Sequence, residues 1–399
     1  MTLQVLLRTG ADDAIAIAAP GRAPLDSRGL RALVAATTAS LNAAGIGRND
    51  RVAIVLPNGP EMATCFLACA CAATSAPLNP AYRADEFEFY LDDLQAKALI
   101  VEHASVSPAV EAARKLGVQV IELTVADGAA AGLFSLGALP AAPCASGGPS
   151  RAEDVAMVLH TSGTTSRPKR VPLSVANLCA SAGHIAATLQ LTARDVGLNI
   201  MPLFHIHGLM AGLLASVSVG SQVFCTPGFN ALRFFKWMDE ASPTWYTAVP
   251  TMHLAIASRG RHNADVLARH PLRFVRSSSA AMPPQLIQQL ETMFAAPLIE
   301  SYGMTEAAHQ MASNPLPPLP RKPGAVGRAA GPEIRIRSEA GAFLGAGEVG
   351  EVVIRGPNVT PGYENNPKAN AEAFVDGWFR TGDQGMLDAD GYLSITGRL

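Results

Sequence analysis

The sequence predicts an α/β protein: α/β subdomains with largely parallel sheets, followed by a small antiparallel β-barrel subdomain. Three observations carry this. Short, almost continuously apolar runs alternate with Ala- and Leu-rich stretches of helical spacing through most of the chain. Those runs are apolar on both faces, as strands of a parallel sheet covered by helices must be. Beyond residue 313 the pattern turns to period-two alternation broken by Gly, Pro and Asn, the mark of antiparallel strands.

The strand-like runs, in order, are 51–56, 98–101, 118–123, 155–159, 223–225, 245–249 and 274–275. Helical spacing marks 30–43, 61–73, 175–189 and 284–294. Residues 128–150, rich in Ala, Gly, Pro and Ser, read as a surface loop. Five prolines in 314–323 predict an extended connector. The alternating runs 333–337 (EIRIR), 350–354 (GEVVI) and 392–395 (YLSI) follow as the antiparallel strands.

Composition narrows the function classes. The 399 residues carry 31 Lys and Arg against 33 Asp and Glu, a net charge of −2, without the basic stripe of a dedicated nucleic-acid binder. Six cysteines are too few for a disulfide scaffold and read as free thiols in a reducing compartment. Cys65, Cys69 and Cys71 lack the spacing and the nearby histidine of a zinc site. The start of the chain has no basic, apolar leader. The most apolar stretches, 62–78 and 208–224, are too interrupted to span a bilayer and read as buried core helices. A soluble, cytoplasmic protein is expected, with neither nucleic acid nor membrane as partner.

The strongest local feature directly follows the run 155–159: Thr161, Ser162, Gly163, Thr164, Thr165, Ser166, Arg167, Pro168 and Lys169. Hydroxyls, a glycine and backbone N–H groups on a loop at a strand's end make a phosphate cradle, and Lys169 adds a mobile positive charge. The loop lacks the G-K-[ST] ending of a P-loop. A second lure, Gly345 to Gly350, fits G-x-G-x-x-G but precedes a strand pattern instead of opening a helix, so it reads as a hairpin turn. His205 and His207, two apart after an apolar run, suggest a shared strand face, on which metal binding is the weaker reading.

At the phosphate loop the chain resembles the adenylate-forming superfamily of acyl-CoA synthetases, luciferases and nonribosomal adenylation domains. Tyr302, Gly303, Met304, Thr305 and Glu306 resemble its second signature, Trp378 to Asp383 its third, and Gly397 with Arg398 the start of its fourth. Within the superfamily, LHTSGTTSRPK, MPLFHIHGLMAGLLAS and MTEAAHQMASNPLP look most like the oxalyl-CoA synthetase branch.

The resemblance implies the fold of that superfamily's N-terminal core, with an α/β core over 1–313, a β-barrel subdomain over 314–396 and the start of a hinge at 397–399. It implies activation of a small carboxylic acid, oxalate or a similar short diacid, by ATP to an acyl-adenylate and pyrophosphate. CoA, or a carrier protein, then accepts the acyl group. Thr161, Ser162, Gly163, Thr164, Thr165 and Lys169 would hold the β- and γ-phosphates. Thr165 and Glu306 would hold magnesium (Mg²⁺), a hard cation that prefers oxygen. Tyr302 would stack on adenine, with Ser279, Ala280 and Ala281 along its other side. Gly303, Met304 and Thr305 complete the nucleotide strand, Asp383 would take the ribose hydroxyls, and Arg398 would reach the sugar or the α-phosphate. His205, His207, Ser278 and His309 are the substrate candidates, and Thr165, Glu306 and His205 the catalytic ones. His309, one turn beyond Glu306, can equally be a helical surface residue.

Two departures qualify the resemblance. The chain stops where a further domain bearing a catalytic lysine is expected, which implies a truncated form with weak turnover or a naturally shortened relative. Arg170 stands where the superfamily has glycine; its guanidinium can add a phosphate contact or block the loop. These departures leave a non-catalytic nucleotide- or acyl-adenylate-binding protein as the rival reading.

Overall fold

The computed structural model describes residues 1–161 and 168–399. Two large sheets and one small one organise them. The first orders its seven strands Ser135–Leu136, Gln119–Thr124, Ala98–Glu102, Arg51–Val55, Thr74–Pro77, Val155–His160 and Arg170–Ser174. Its interior pairs are parallel and its two edge pairs antiparallel. The second runs Arg328–Ala329, His309–Ser313, Leu298–Met304, Phe274–Ser277, Trp245–Ala248, Val196–Asn199, Gln222–Cys225, Ile15–Ala18 and Leu25–Asp26, again parallel inside with antiparallel edges. The third is a wholly antiparallel sheet of Glu333–Arg337, Gly350–Arg355, Trp378–Leu387, Phe374–Val375 and Leu393–Arg398. The predicted α/β class, parallel sheets and antiparallel subdomain are all present.

The helix Pro60–Ala72 explains its own composition. It packs on strands of both large sheets, so it has no solvent face. Cys65, Phe66, Ala68, Cys69, Ala70, Cys71 and Ala72 are all fully buried, and small residues let the two layers approach. The helix ends at Ala72, and the rest of the apolar stretch 62–78 is the strand Thr74–Pro77, where β-branched Thr74 takes over. All six cysteines are free thiols. No helix among the described residues is long and apolar enough to cross a membrane.

In the turn ahead of the strand Gly350–Arg355, Gly347 sits at φ 81°, so the glycine-rich stretch serves a hairpin and opens no helix. The chain leaves the nine-stranded sheet after Ala329 and enters the antiparallel sheet at Glu333. This hands one continuous segment from the body to the small subdomain, and the site is assembled across that passage.

Candidate active site

Adjacent parallel strands of the nine-stranded sheet end side by side, and the predicted residues gather at those carboxyl ends, where open α/β sheets bind ligands. Leu298–Met304 delivers Tyr302, Gly303 and Met304. Phe274–Ser277 delivers buried Ser278, then exposed Ser279, Ala280 and Ala281. Ser278 is locked in place, its Oγ donating to the Ser301 carbonyl at 3.1 Å. Ser279 holds a left-handed backbone at φ 73°, a strained state for a side-chain-bearing residue at a loop tip.

The half-buried Tyr302 hydroxyl donates to Asp383 Oδ2, and Arg398 Nε lies 3.6 Å from Asp383 Oδ1. Strand pairing sets this up, because Asp383 and Arg398 are opposite each other. Burial first, and then the Asp383 charge, pushes the Tyr302 phenol up, so it remains a donor.

The Glu306 turn, Thr305–Ala307, is strapped from the other side of the passage. Thr360 N–H donates to the Glu306 carbonyl at 2.7 Å, and Asn358 Nδ2 donates to the Ala307 and Gln310 carbonyls at 2.7 and 3.1 Å. Tyr363 Oη donates to Glu306 Oε1 at 2.8 Å, and Lys169 Nζ stands 4.7 Å above the same Tyr363 ring. Lys169 and the Glu306 carboxylate thus meet over one tyrosine. At the loop's neck Thr161 N–H donates to the Lys169 carbonyl at 3.0 Å, and Lys169 N–H to Thr161 Oγ1 at 3.1 Å. Ser162, Gly163, Thr164 and Thr165 lie outside the described residues.

Arg170 does not stand free. Its Nε is 3.5 Å from Asp93 Oδ2 and 3.7 Å from Glu364 Oε2, and Nη1 donates to the Asp93 carbonyl. Arg51 Nη2 shares Glu364 at 2.7 Å, and His160 Nε2 lies 3.1 Å from Asp93. The guanidinium is therefore neutralised on the helix Ala84–Leu94 and at Glu364, on the strand that returns from the loop.

The histidines differ from expectation. The segment after Asn199 is a turn leading into the wide, π-type helix His207–Leu214, so His205 and His207 do not share a strand face. His205 is exposed beside Phe204, whereas His207 is buried. His309 is no helical surface residue. Ala308 and His309 both take left-handed backbones, at φ 47° and 91°, which turns the chain into the strand His309–Ser313 and buries the ring.

The residue that sequence reasoning missed is Arg276. It is fully buried, registered beside Thr247 on the next strand. Its Nη1 lies 3.3 Å from Thr247 Oγ1 and from His207 Nε2; Nη2 lies 3.2 Å from His309 Nε2 and 3.3 Å from Gln310 Oε1. Its Nε has no partner, and no carboxylate pairs with it among the described residues. Burial lowers it to about 9, so it stays charged at neutral pH. Burial, reinforced by the Arg276 charge, holds both His207 and His309 well below the ordinary histidine range, so both rings are neutral. A charge inside the run RFVRSS was the available signal, since a two-sided parallel strand should carry none.

Comparison with known proteins gives the family of the chain. Residues 9–364 match the AMP-binding enzyme model. The chain belongs to the AMP-binding enzyme family. It is 45% identical over 362 residues to an oxalate–CoA ligase of Arabidopsis thaliana, a match covering 89% of this chain and 70% of that one. A second oxalate–CoA ligase, from Saccharomyces cerevisiae, is 40% identical over 88% of this chain and 69% of its own. Among solved structures, ATP-bound MatB from Rhodopseudomonas palustris superposes with a TM-score of 0.87 at 28% identity, over 100% of this chain and 79% of that one. The activity class is ATP-dependent formation of an acyl-adenylate from a small carboxylic acid, for ligation to CoA.

Proposed function

We propose that the acid is a short dicarboxylate, with oxalate first among candidates. The observation that carries this is Arg276. A fully buried guanidinium with no carboxylate partner among the described residues is costly unless something anionic compensates it. It lies behind His207 and His309, next to the strand ends that carry the nucleotide candidates. A second carboxylate on the substrate gives that charge its counterpart, and an apolar acyl chain does not. The two relatives named as oxalate–CoA ligases agree with this reading.

In the reaction, one carboxylate oxygen attacks the α-phosphorus of ATP, the bond to the bridging oxygen breaks, and pyrophosphate leaves with the electron pair. The CoA sulfur then attacks the acyl carbon, AMP leaves, and the thiol proton passes to solvent. The protein contributes positioning and charge neutralisation and no side-chain nucleophile. Lys169 and Thr161, with Ser162, Gly163, Thr164 and Thr165, hold the departing phosphates. Tyr302 and the Ser279–Ala280–Ala281 backbone bracket adenine, flanked by Gly303, Met304 and Thr305. Asp383 exchanges its Tyr302 and Arg398 contacts for the ribose hydroxyls. His205 sits at the reacting carboxylate, and Ser278, His207 and His309 form the wall beyond it.

Mg²⁺ fits Glu306. One carboxylate oxygen takes a single neutral hydrogen bond from Tyr363, and among the described residues no cationic side chain pairs with the group. Among the described residues no three His, Cys, Asp or Glu side chains gather, so the ion would be held by Glu306, Thr165, phosphate oxygens and water. It would supply charge neutralisation on the phosphates. CoA, not a carrier protein, is the acceptor the relatives support.

Acid-dependent release of pyrophosphate in a single turnover with Mg·ATP tests the substrate. Oxalate should give the largest burst in a panel with acetate, benzoate and octanoate. A larger burst from octanoate or benzoate would refute the dicarboxylate assignment.

A further inference from the structure

Tyr363 carries a cation on its face and an anion at its edge. Lys169 Nζ stands 4.7 Å from the ring centroid, within cation–π reach. The phenol donates to Glu306 Oε1 at 2.8 Å, since an ionised carboxylate only accepts. Among the described residues Glu306 Oε2 has no hydrogen-bond partner, and Lys169 pairs with no carboxylate. Two opposite charges therefore share one buried tyrosine, and no ion pair joins them among the described residues. In a partly dry site a flexible lysine and a carboxylate gain Coulomb energy by pairing directly, so something holds these two apart.

The ring is held from behind, by contacts that involve neither charge. Asn370, on the helix Pro367–Ala373, brackets the Tyr363 backbone: its Oδ1 accepts the Tyr363 N–H at 2.7 Å, and its Nδ2 donates to the Tyr363 carbonyl at 2.8 Å. Gly362 makes room for that amide, because a Cβ there would stand 3.0 Å from Asn370 Oδ1, and its φ of 148° disfavours any side chain. On the other flank Glu364 N–H donates to the Arg170 carbonyl at 3.1 Å, and the Glu364 carboxylate is tied to Arg51 and Arg170. Tyr363 is thus anchored to the small subdomain on one side and to the seven-stranded sheet on the other. A side chain whose own place is fixed in this way can fix its partners.

We infer that Tyr363 is a positioning residue whose ring keeps the Lys169 ammonium and the Glu306 carboxylate from neutralising each other, so that each stays available to the magnesium-bound triphosphate. This rests on the reading above in which Lys169 meets the phosphates and Glu306 the ion. Without the ring, the four-carbon stem of Lys169 lets Nζ close on the carboxylate, and that pair must be broken whenever nucleotide binds. The hydroxyl has a separate task. It holds Glu306 by Oε1 and so aims Oε2.

Two measurements on the full 399-residue chain test this. They use Tyr363→Phe, which keeps the ring and drops the hydroxyl, and Tyr363→Leu, which drops both. The first is a double-mutant cycle of Lys169→Met and Glu306→Gln, read as urea midpoints of the ligand-free protein. The two effects should nearly add in the wild-type and Tyr363→Phe backgrounds and couple in Tyr363→Leu, where the pair forms. The second is calorimetry with a non-hydrolysable ATP analogue, with and without Mg²⁺. Tyr363→Phe should bind the analogue alone within about threefold of wild type and lose about tenfold of the gain that Mg²⁺ brings, the scale of one hydrogen bond to a charged group. Tyr363→Leu should weaken binding in both conditions. Coupling in the wild-type background, additivity in Tyr363→Leu, or a full Mg²⁺ gain in Tyr363→Phe would overturn the positioning role. The wild-type cycle and the Tyr363→Phe titration decide the matter even where Tyr363→Leu does not fold. A Mg²⁺ gain that Glu306→Gln leaves intact would instead overturn the magnesium assignment, while the unfolding cycle would still report whether the ring separates the charges.

Discussion

Arg276 sets function against stability within one side chain. Removing an uncompensated buried charge and filling its place with a side chain of similar length is neutral or stabilising in many proteins. Arg276→Met should therefore leave the melting temperature of the ligand-free chain unchanged or raised, while abolishing the extra stabilisation that oxalate adds to the nucleotide-bound form. Thermal unfolding with and without ligands reads both halves. Glu300 makes a different prediction. Burial raises its carboxyl from the ordinary 4.5 to about 7, the folded state thus holding a proton that the unfolded chain has already released. Its contribution to stability must then fall as pH rises across that window, while the buried neutral histidines His207 and His309 contribute with the opposite sign. The difference in melting temperature between Glu300→Gln and wild type should therefore shift in favour of the variant between pH 5 and 8.

At the scale of elements, legibility followed periodicity. The helix Pro284–Phe294 and the strand Glu333–Arg337 have the predicted limits, because each shows a clean amphipathic period. The helix Pro60–Ala72 was legible as helical spacing over 61–73, but the apolar stretch 62–78 ran on past its end, because a helix buried between two sheets and the strand after it are both apolar all round. The site divides the same way. Tyr302, Glu306 and Asp383 sit in contiguous motifs, so order along the chain revealed them. Arg276, Tyr363, Glu364 and Asp93 act through partners far away in sequence, and only the fold brings those together. Arg170 shows this most clearly. From the sequence it was a threat to the phosphate loop; in the fold it fastens the return strand Arg170–Ser174 to Asp93 and Glu364. Arg170→Gly should cost about 2 kcal/mol in urea unfolding, the scale of a lost charge-assisted hydrogen-bond set. A variant at least as stable as wild type would contradict that fastening role.

Across the whole molecule, one helix layer joins two parallel sheets, and one segment, 358–363, ties the small antiparallel subdomain to the Glu306 turn. The first gives the body its rigidity. Phe66, fully buried in that shared layer, should cost about 3–5 kcal/mol as Phe66→Ala, measured by denaturant unfolding. The second makes the site a joint property of body and subdomain, so nucleotide binding should stabilise both together. The central claim is that one site takes a nucleotide and a small diacid side by side. Thermal unfolding of the 399-residue chain tests it most directly, with Mg²⁺ and a non-hydrolysable ATP analogue, alone and with each acid in turn. A ligand bound only by the folded state at a hundred times its Kd adds about 2.7 kcal/mol. The account predicts a rise in melting temperature with nucleotide that oxalate enlarges and octanoate or benzoate does not. No rise with nucleotide, or a larger one with octanoate than with oxalate, would contradict it.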